Sequence, residues 1–258
     1  RDKQPRIREH AVRLSESFLA RNVRGGSPRP PKFKLPKALV RLAKDSDARV
    51  LFRLALTASQ IPMPDSLGVL TALAQRGVEN PWQSSAILSS VGSLQGESWP
   101  FLKRLLKREL RWLSAPTIAQ DDFLEKVGEL VGGRHSDADL AEATALLRRS
   151  SEQPESLMVL AGLADGLARG KRNSLVPENL NSTKAEDLRR LLDEQAEKAA
   201  AWAASPQAPL LVRLAAVRVL AHAPVNQTRT PLLGLLTSAQ APEVQASALR
   251  ALLEHDDT

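Results

Sequence analysis

The stretch "SDARVLFRLALTA" (residues 46–58) decides the fold class. Asp47 is a helix-capping acid, and after it Val50, Leu54 and Ala55 fall on one face of a helix while Arg49, Arg53 and Thr57 form a polar stripe. The same grammar returns along the chain. Ile7, Val50, Trp82, Val212 and Val244 hold equivalent anchor places; Ala11, Leu54, Ala86, Ala216 and Ala248 follow four positions later, and Val12, Ala55, Ile87, Val217 and Leu249 five positions later. Such spacing predicts a buried helical face, with small side chains where a neighbouring helix must come close. Pro5, Asp47, Pro81, Pro209 and Pro242 stand just upstream as start signals.

Most of these helices follow a shorter amphipathic one: 35–44 leads into 48–61, 66–76 into 81–94, and 229–238 into 242–254. The unit is helix, short turn, helix. Val50 to Trp82 and Val212 to Val244 are each about 32 residues apart, the scale of a helical repeat. One helix pair cannot bury its faces alone, so the expected fold is an all-α solenoid, a right-handed superhelix of stacked pairs. The middle is less regular. Helical periodicity runs through 98–114, 121–133, 137–150, 154–170 and 186–205, with Asp121, Asp137 and Pro154 as starts and Gly132-Gly133 and Gly170 as C-caps. The segments 23–36 and 171–187 read as long loops. The expected organisation is a single array over 1–258, a piece of a larger chain, because RDKQPRIREH carries neither an initiator Met nor an apolar signal core.

Composition agrees with helices. Of 258 residues 43% are hydrophobic but only 3% aromatic, with no Tyr, and no long β-branched alternation is present. The absence of Cys rules out disulfides, a thiolate nucleophile and a Cys-based metal or haem attachment within this sequence. No apolar run reaches the roughly 18–20 residues that span a bilayer. A net charge of +7 is a mild bias toward anionic partners.

Candidates for chemistry are few. His10, His135, His222 and His255 show no i, i+4 pair and no acidic partner completing a ligand set, so surface and helix-end places are expected. Asp121-Asp122 and the group Asp137, Asp139, Glu142 open helices, where acids serve as caps and dipole partners. No catalytic, metal-ligating or cofactor-binding set is expected in this segment. The most suggestive feature is a basic helix face of Lys103, Arg104, Lys107, Arg108 and Arg111, opposite Leu102, Leu105, Leu106, Leu110 and Leu113, with Trp99 and Trp112 at its flanks. It reads first as a solvated outer face. It also fits a nucleic-acid backbone, an anionic membrane or an acidic protein, and Arg24, Arg29, Lys32 and Lys34 would enlarge it if the fold brought them near.

The helix-pair grammar resembles HEAT-like repeats. "PRIREHAVRLSE" (5–16), "DSDARVLFRLALTASQ" (45–60), "WQSSAILSS" (82–90) and "PEVQASALRAL" (242–252) resemble, more narrowly, the HEAT-repeat region of bacterial PVC-type membrane-bound dehydrogenase and haem-binding domain proteins. The likeness is best at the two ends; roughly 98–205 matches only in being helical. In that family a sugar-dehydrogenase-like propeller precedes the repeats and a cytochrome c domain follows them. The resemblance implies an exported protein, periplasmic or envelope-associated, whose redox chemistry lies outside this segment, and no catalytic residue carries over. Two functions follow as expectations. One is a non-catalytic scaffold or protein-interaction segment that holds adjoining domains or a protein partner. The other is a nucleic-acid-binding HEAT-like solenoid using the 103–111 face, with an enzymatic variant resembling HEAT-like alkylpurine DNA glycosylases. Peripheral membrane attachment through 99–113 is a third idea.

Overall fold

The computed structural model describes residues 2–23, 35–94, 98–108, 117–134, 136–153, 156–172 and 183–256. The described residues form 13 α-helices. They pack as two compact units, Arg1–Leu105 and Leu106–Thr258.

The first unit contains α1 (Pro5–Val23), α2 (Leu35–Leu42), α3 (Ala48–Thr57), α4 (Asp65–Gly77) and α5 (Pro81–Ser93); the division between units falls within α6 (Ser98–Arg108). Alternate helices stack: α1 lies on α3 and α3 on α5, while α2 lies on α4. Asp47 caps α3 as its sequence demands, its carboxylate accepting from the backbone N–H of Arg49 and Val50. Asn80 does the same for α5, with Pro81 in the first turn. Leu54, Leu70, Leu73 and Ile87 are fully buried between the rows, each contributing roughly 1.5–3 kcal/mol. Polar ties fix the register of α1 on α3. Arg8 clasps Asp45 with two bonds, Nε to Oδ2 at 2.7 Å and Nη2 to Oδ1 at 2.8 Å. Arg53 Nη2 and the Thr57 hydroxyl both donate to Glu16 Oε1 at 2.7 Å. The Arg8 guanidinium holds the Asp45 carboxyl below the usual carboxylate range, against the opposing effect of burial.

The second unit contains α7 (Ile118–Gly132), α8 (Asp137–Arg149), α9 (Ser156–Arg172), α10 (Thr183–Ala204), α11 (Leu210–His222), α12 (Val225–Gly234) and α13 (Pro242–Asp256). One row runs α7, α9, α11, α13 and the other α8, α10, α12. The α7–α9 pair is the closest. Gly128 and Gly132 of α7 face Gly162 and Gly166 of α9, so the two backbones meet with almost no side chain between them. A Cβ on Gly128 would stand 2.7 Å from the Val159 carbonyl oxygen, and at Gly132, Gly162 and Gly166 it would run into the carbonyls of Leu163, Glu125 and Glu129. α11 is apolar nearly all round, as Val212, Ala215, Ala216, Val217, Val219 and Leu220 are buried, which suits a helix held between α9 and α13.

The repeat grammar holds where a neighbour covers the helix and fails elsewhere. Val50, Val212 and Val244 are buried, but Trp82 is 77% exposed, and Ile7 and Leu249 are more than half exposed. At the start of α5 the inward place belongs to Gln83, not Trp82. Thr57, expected in a polar stripe, is fully buried on Glu16. α12 begins at Val225, four residues before the expected 229, and carries Pro231 inside it. α7 starts at Ile118 rather than Asp121, because Thr117 and Gln120 form a capping box and Asp121 is buried one turn in. The cap of α8 is Ser136, with Asp137 and Asp139 in its first turn. Gly170 lies inside α9, and Gly132 is placed by helix contact rather than by a cap. Of the two expected loops, 24–34 and 173–182 lie outside the described residues, whereas 23, 35–36, 171–172 and 183–187 are helical.

Candidate functional site

α13 is built with two apolar faces. Val244, Ala248 and Ala251 repeat at four and three positions and are buried on the α11 side. Ala246, Leu249 and Leu253 repeat at three and four positions on another face and are exposed. Beside them α12 buries only Thr228 and Leu232 and turns Val225 and Leu233 outward. His255 holds the helices in register, its Nε2 lying 3.3 Å from both the Thr228 hydroxyl and the Leu220 carbonyl oxygen. The result is an open groove of about 220 Å³ floored by Leu233, Leu236, Leu249, Leu252 and Leu253. Leu233, Leu249 and Leu253 are each more than half exposed. Leucines at helical spacing around a groove suit the apolar face of another helix.

A second concavity, about 270 Å³, opens on the α9–α11–α13 row and is charged rather than apolar. Asp165, Arg169, Arg218 and His222 line it and are tied to one another and to α7 by polar contacts. Arg218 Nη1 lies 2.8 Å from Glu125 and its Nε 3.1 Å from Asp165, while His222 Nε2 lies 2.6 Å from the other oxygen of Asp165. Arg169 of α9 pairs with Glu129 of α7 one turn along. These contacts join three helices, so the side chains are spent on tying the row together. Ser247 lines the same cavity, but no hydrogen bond joins it to His222. Among the described residues no group of three or more His, Asp and Glu side chains could hold a metal ion.

The expected basic face is brought together only in part. Lys103 is exposed on α6. Arg104 is half-buried and lies over α4, its Nη2 3.8 Å from where a Cβ of Gly68 would stand. Leu102, Leu105 and Leu106 are buried, as is Trp99, in keeping with the apolar side of the helix. The side chains of Lys107 and Arg108, together with Arg111, Trp112 and the cations of 24–34, lie outside the described residues. His10 is exposed, and His135 lies outside the described residues. His222 and His255 sit at helix ends as expected, but the pairing of His222 with Asp165, far away in sequence, had no local signal. The leucine groove was also missed, since the repeat pattern assigns Leu249 to the buried face. Its sequence signal is the second apolar stripe on α13, Leu249 and Leu253, beside the Val244–Ala248–Ala251 stripe.

A scan of family models and searches of curated proteins and solved structures find no match to this chain. No helix of the described residues is long and apolar enough to cross a membrane.

Proposed function

We propose that this chain is a non-catalytic helical-repeat scaffold that docks protein, and that the leucine groove between α12 and α13 is its docking surface. The observation that carries this is the set of Leu233, Leu249 and Leu253 held more than half exposed on one groove. Exposed leucines packed this closely cost solubility unless a partner covers them. Alternate-helix stacking within each unit supports a HEAT-like solenoid. The resemblance of the terminal segments to the repeat region of PVC-type dehydrogenase proteins supports placing the scaffold in a larger exported dehydrogenase or cytochrome-type protein.

A photo-crosslinking residue at Leu253 tests the docking role, with a second at Lys103 reporting on the basic face. Adducts to a protein segment from Leu253 are expected. Titration with duplex DNA at rising salt gives the opposing outcome: tight binding with a steep salt slope that survives near physiological ionic strength, with adducts to DNA from Lys103 and none to protein from Leu253, overturns the scaffold role.

A further inference from the structure

We infer that the charged cavity on the α9–α11–α13 row binds a carboxylate, held by Arg250 and Ser247 of α13. This site is separate from the leucine groove and follows from how the row pairs its charges. Arg169 of α9 pairs back with Glu129 of α7. Arg218 of α11 pairs back with Asp165 of α9 and Glu125 of α7. Arg250 of α13 is the next arginine around the cavity, but α11, the helix behind it, has no Asp or Glu from Leu210 to His222. Arg250 makes no ion pair or hydrogen bond among the described residues, although Glu254 lines the same cavity one turn along. The series thus reaches an arginine whose carboxylate α11 does not supply.

There is room for one. Ala168, Ala221 and Ala251 line the cavity, one from each helix, and their short side chains leave about 270 Å³ open. Ser247 lies one turn before Arg250 on the same helix face. Its hydroxyl makes no hydrogen bond among the described residues and can donate to a second oxygen. The lining sets three arginines against two carboxylates, Asp165 and Glu254, so one positive charge is left over. Glu125 and Glu129 stand on α7, outside the lining, where Arg218 and Arg169 take them up. A single spare charge fits a singly charged carboxylate, which a guanidinium binds through two parallel hydrogen bonds. A phosphate monoester carries nearly two charges and would be repelled by Asp165 and Glu254. A small carboxylic acid and an acidic side chain of a partner present the same group to this site.

Amide NMR of the chain, titrated with sodium acetate against sodium chloride at equal ionic strength, tests this. The Ser247 and Arg250 signals are expected to shift saturably in acetate, with a Kd on the order of 10 mM, and not in chloride. Inorganic phosphate should bind at least about tenfold more weakly. Arg250→Gln should weaken acetate binding at least about tenfold, whereas Arg149→Gln, at an exposed arginine of α8, should leave it unchanged. Ala221→Glu places a carboxylate on α11 at the cavity and should suppress the acetate response by occupying Arg250 from within. Circular dichroism checks that each variant is folded. An end-blocked peptide with a single Glu separates the two sources. Binding of the peptide at least as tight as that of acetate assigns the site to a partner side chain, and binding of acetate alone assigns it to a free acid. Three outcomes overturn the inference: acetate shifts that match those in chloride, Arg250→Gln binding acetate as wild type does, or phosphate binding more tightly than acetate.

Discussion

At Gly132 and Gly166 a methyl group has nowhere to go. Each position faces a backbone carbonyl of the opposite helix, which cannot swing aside as a long side chain would. Gly132→Ala or Gly166→Ala should therefore push α7 and α9 apart and cost roughly 1–3 kcal/mol, read as a lower midpoint in urea unfolding. Gly234 is the contrast, with nothing within 4 Å of its Cβ position; Gly234→Ala should be neutral or stabilising by about 0.4–1 kcal/mol. The sequence suggests a C-cap at Gly132-Gly133, because two glycines after an apolar run look like a helix end. The end is there, but the reason for Gly132 lies in a helix that begins some twenty residues later, and no local pattern reports that. Asp45 makes a second residue-scale case. Its carboxyl titrates lower folded than unfolded because Arg8 binds it, so it stabilises the fold above the ordinary carboxylate pKa of about 3.9, and that contribution is lost as pH falls through the folded value. Asp45→Asn should lower the melting temperature at pH 7, and the gap to wild type should close as the buffer is taken from about pH 4 downward.

Caps carry most of what can be read at the scale of the element. Asp47, Asn80, Thr117 and Ser136 each hold the first turn of their helices through a side-chain oxygen. Thr117 does so reciprocally: Gln120 N–H donates to the Thr117 hydroxyl at 3.2 Å, and Thr117 N–H donates to Gln120 Oε1 at 3.0 Å. Thr117→Ala should cost about 1 kcal/mol, and Thr117→Ser should recover most of it, both measured by denaturant unfolding. Where the sequence offered Asp or Pro at the right distance, as before α3, α5 and α13, helix starts were legible to within a residue. At α7 the eye falls on the acidic pair Asp121-Asp122, yet Asp121 is buried a turn inside the helix, and the modest Thr117 is the true start. At α12 Pro231 looks like a first-turn proline, but Pro224 stands just before the helix and Pro231 sits within it. Frame errors of this kind move which side chains point outward, and this is why Leu233 was not foreseen on an open groove.

For the molecule as a whole, periodicity says which residues share a helical face but not whether another helix covers it. Val12 and Ile7 are both apolar and lie on one short segment, yet one is fully buried and the other is not. Coverage also governs how stability is distributed. Within a row each helix is held by its neighbours, so local opening should start where neighbours are fewest. In the second unit α9 lies between α7 and α11, and its residues from Ser156 to Ala164 are all buried. α12, packed beside α10 and α13, buries only Thr228 and Leu232 and contains a proline that donates no backbone hydrogen bond. Amide hydrogen exchange followed by mass spectrometry should therefore be slowest in peptides from α9 and fastest in those from α12, with α13 between them. Equal protection across the second unit would contradict the row-by-row account of its stability.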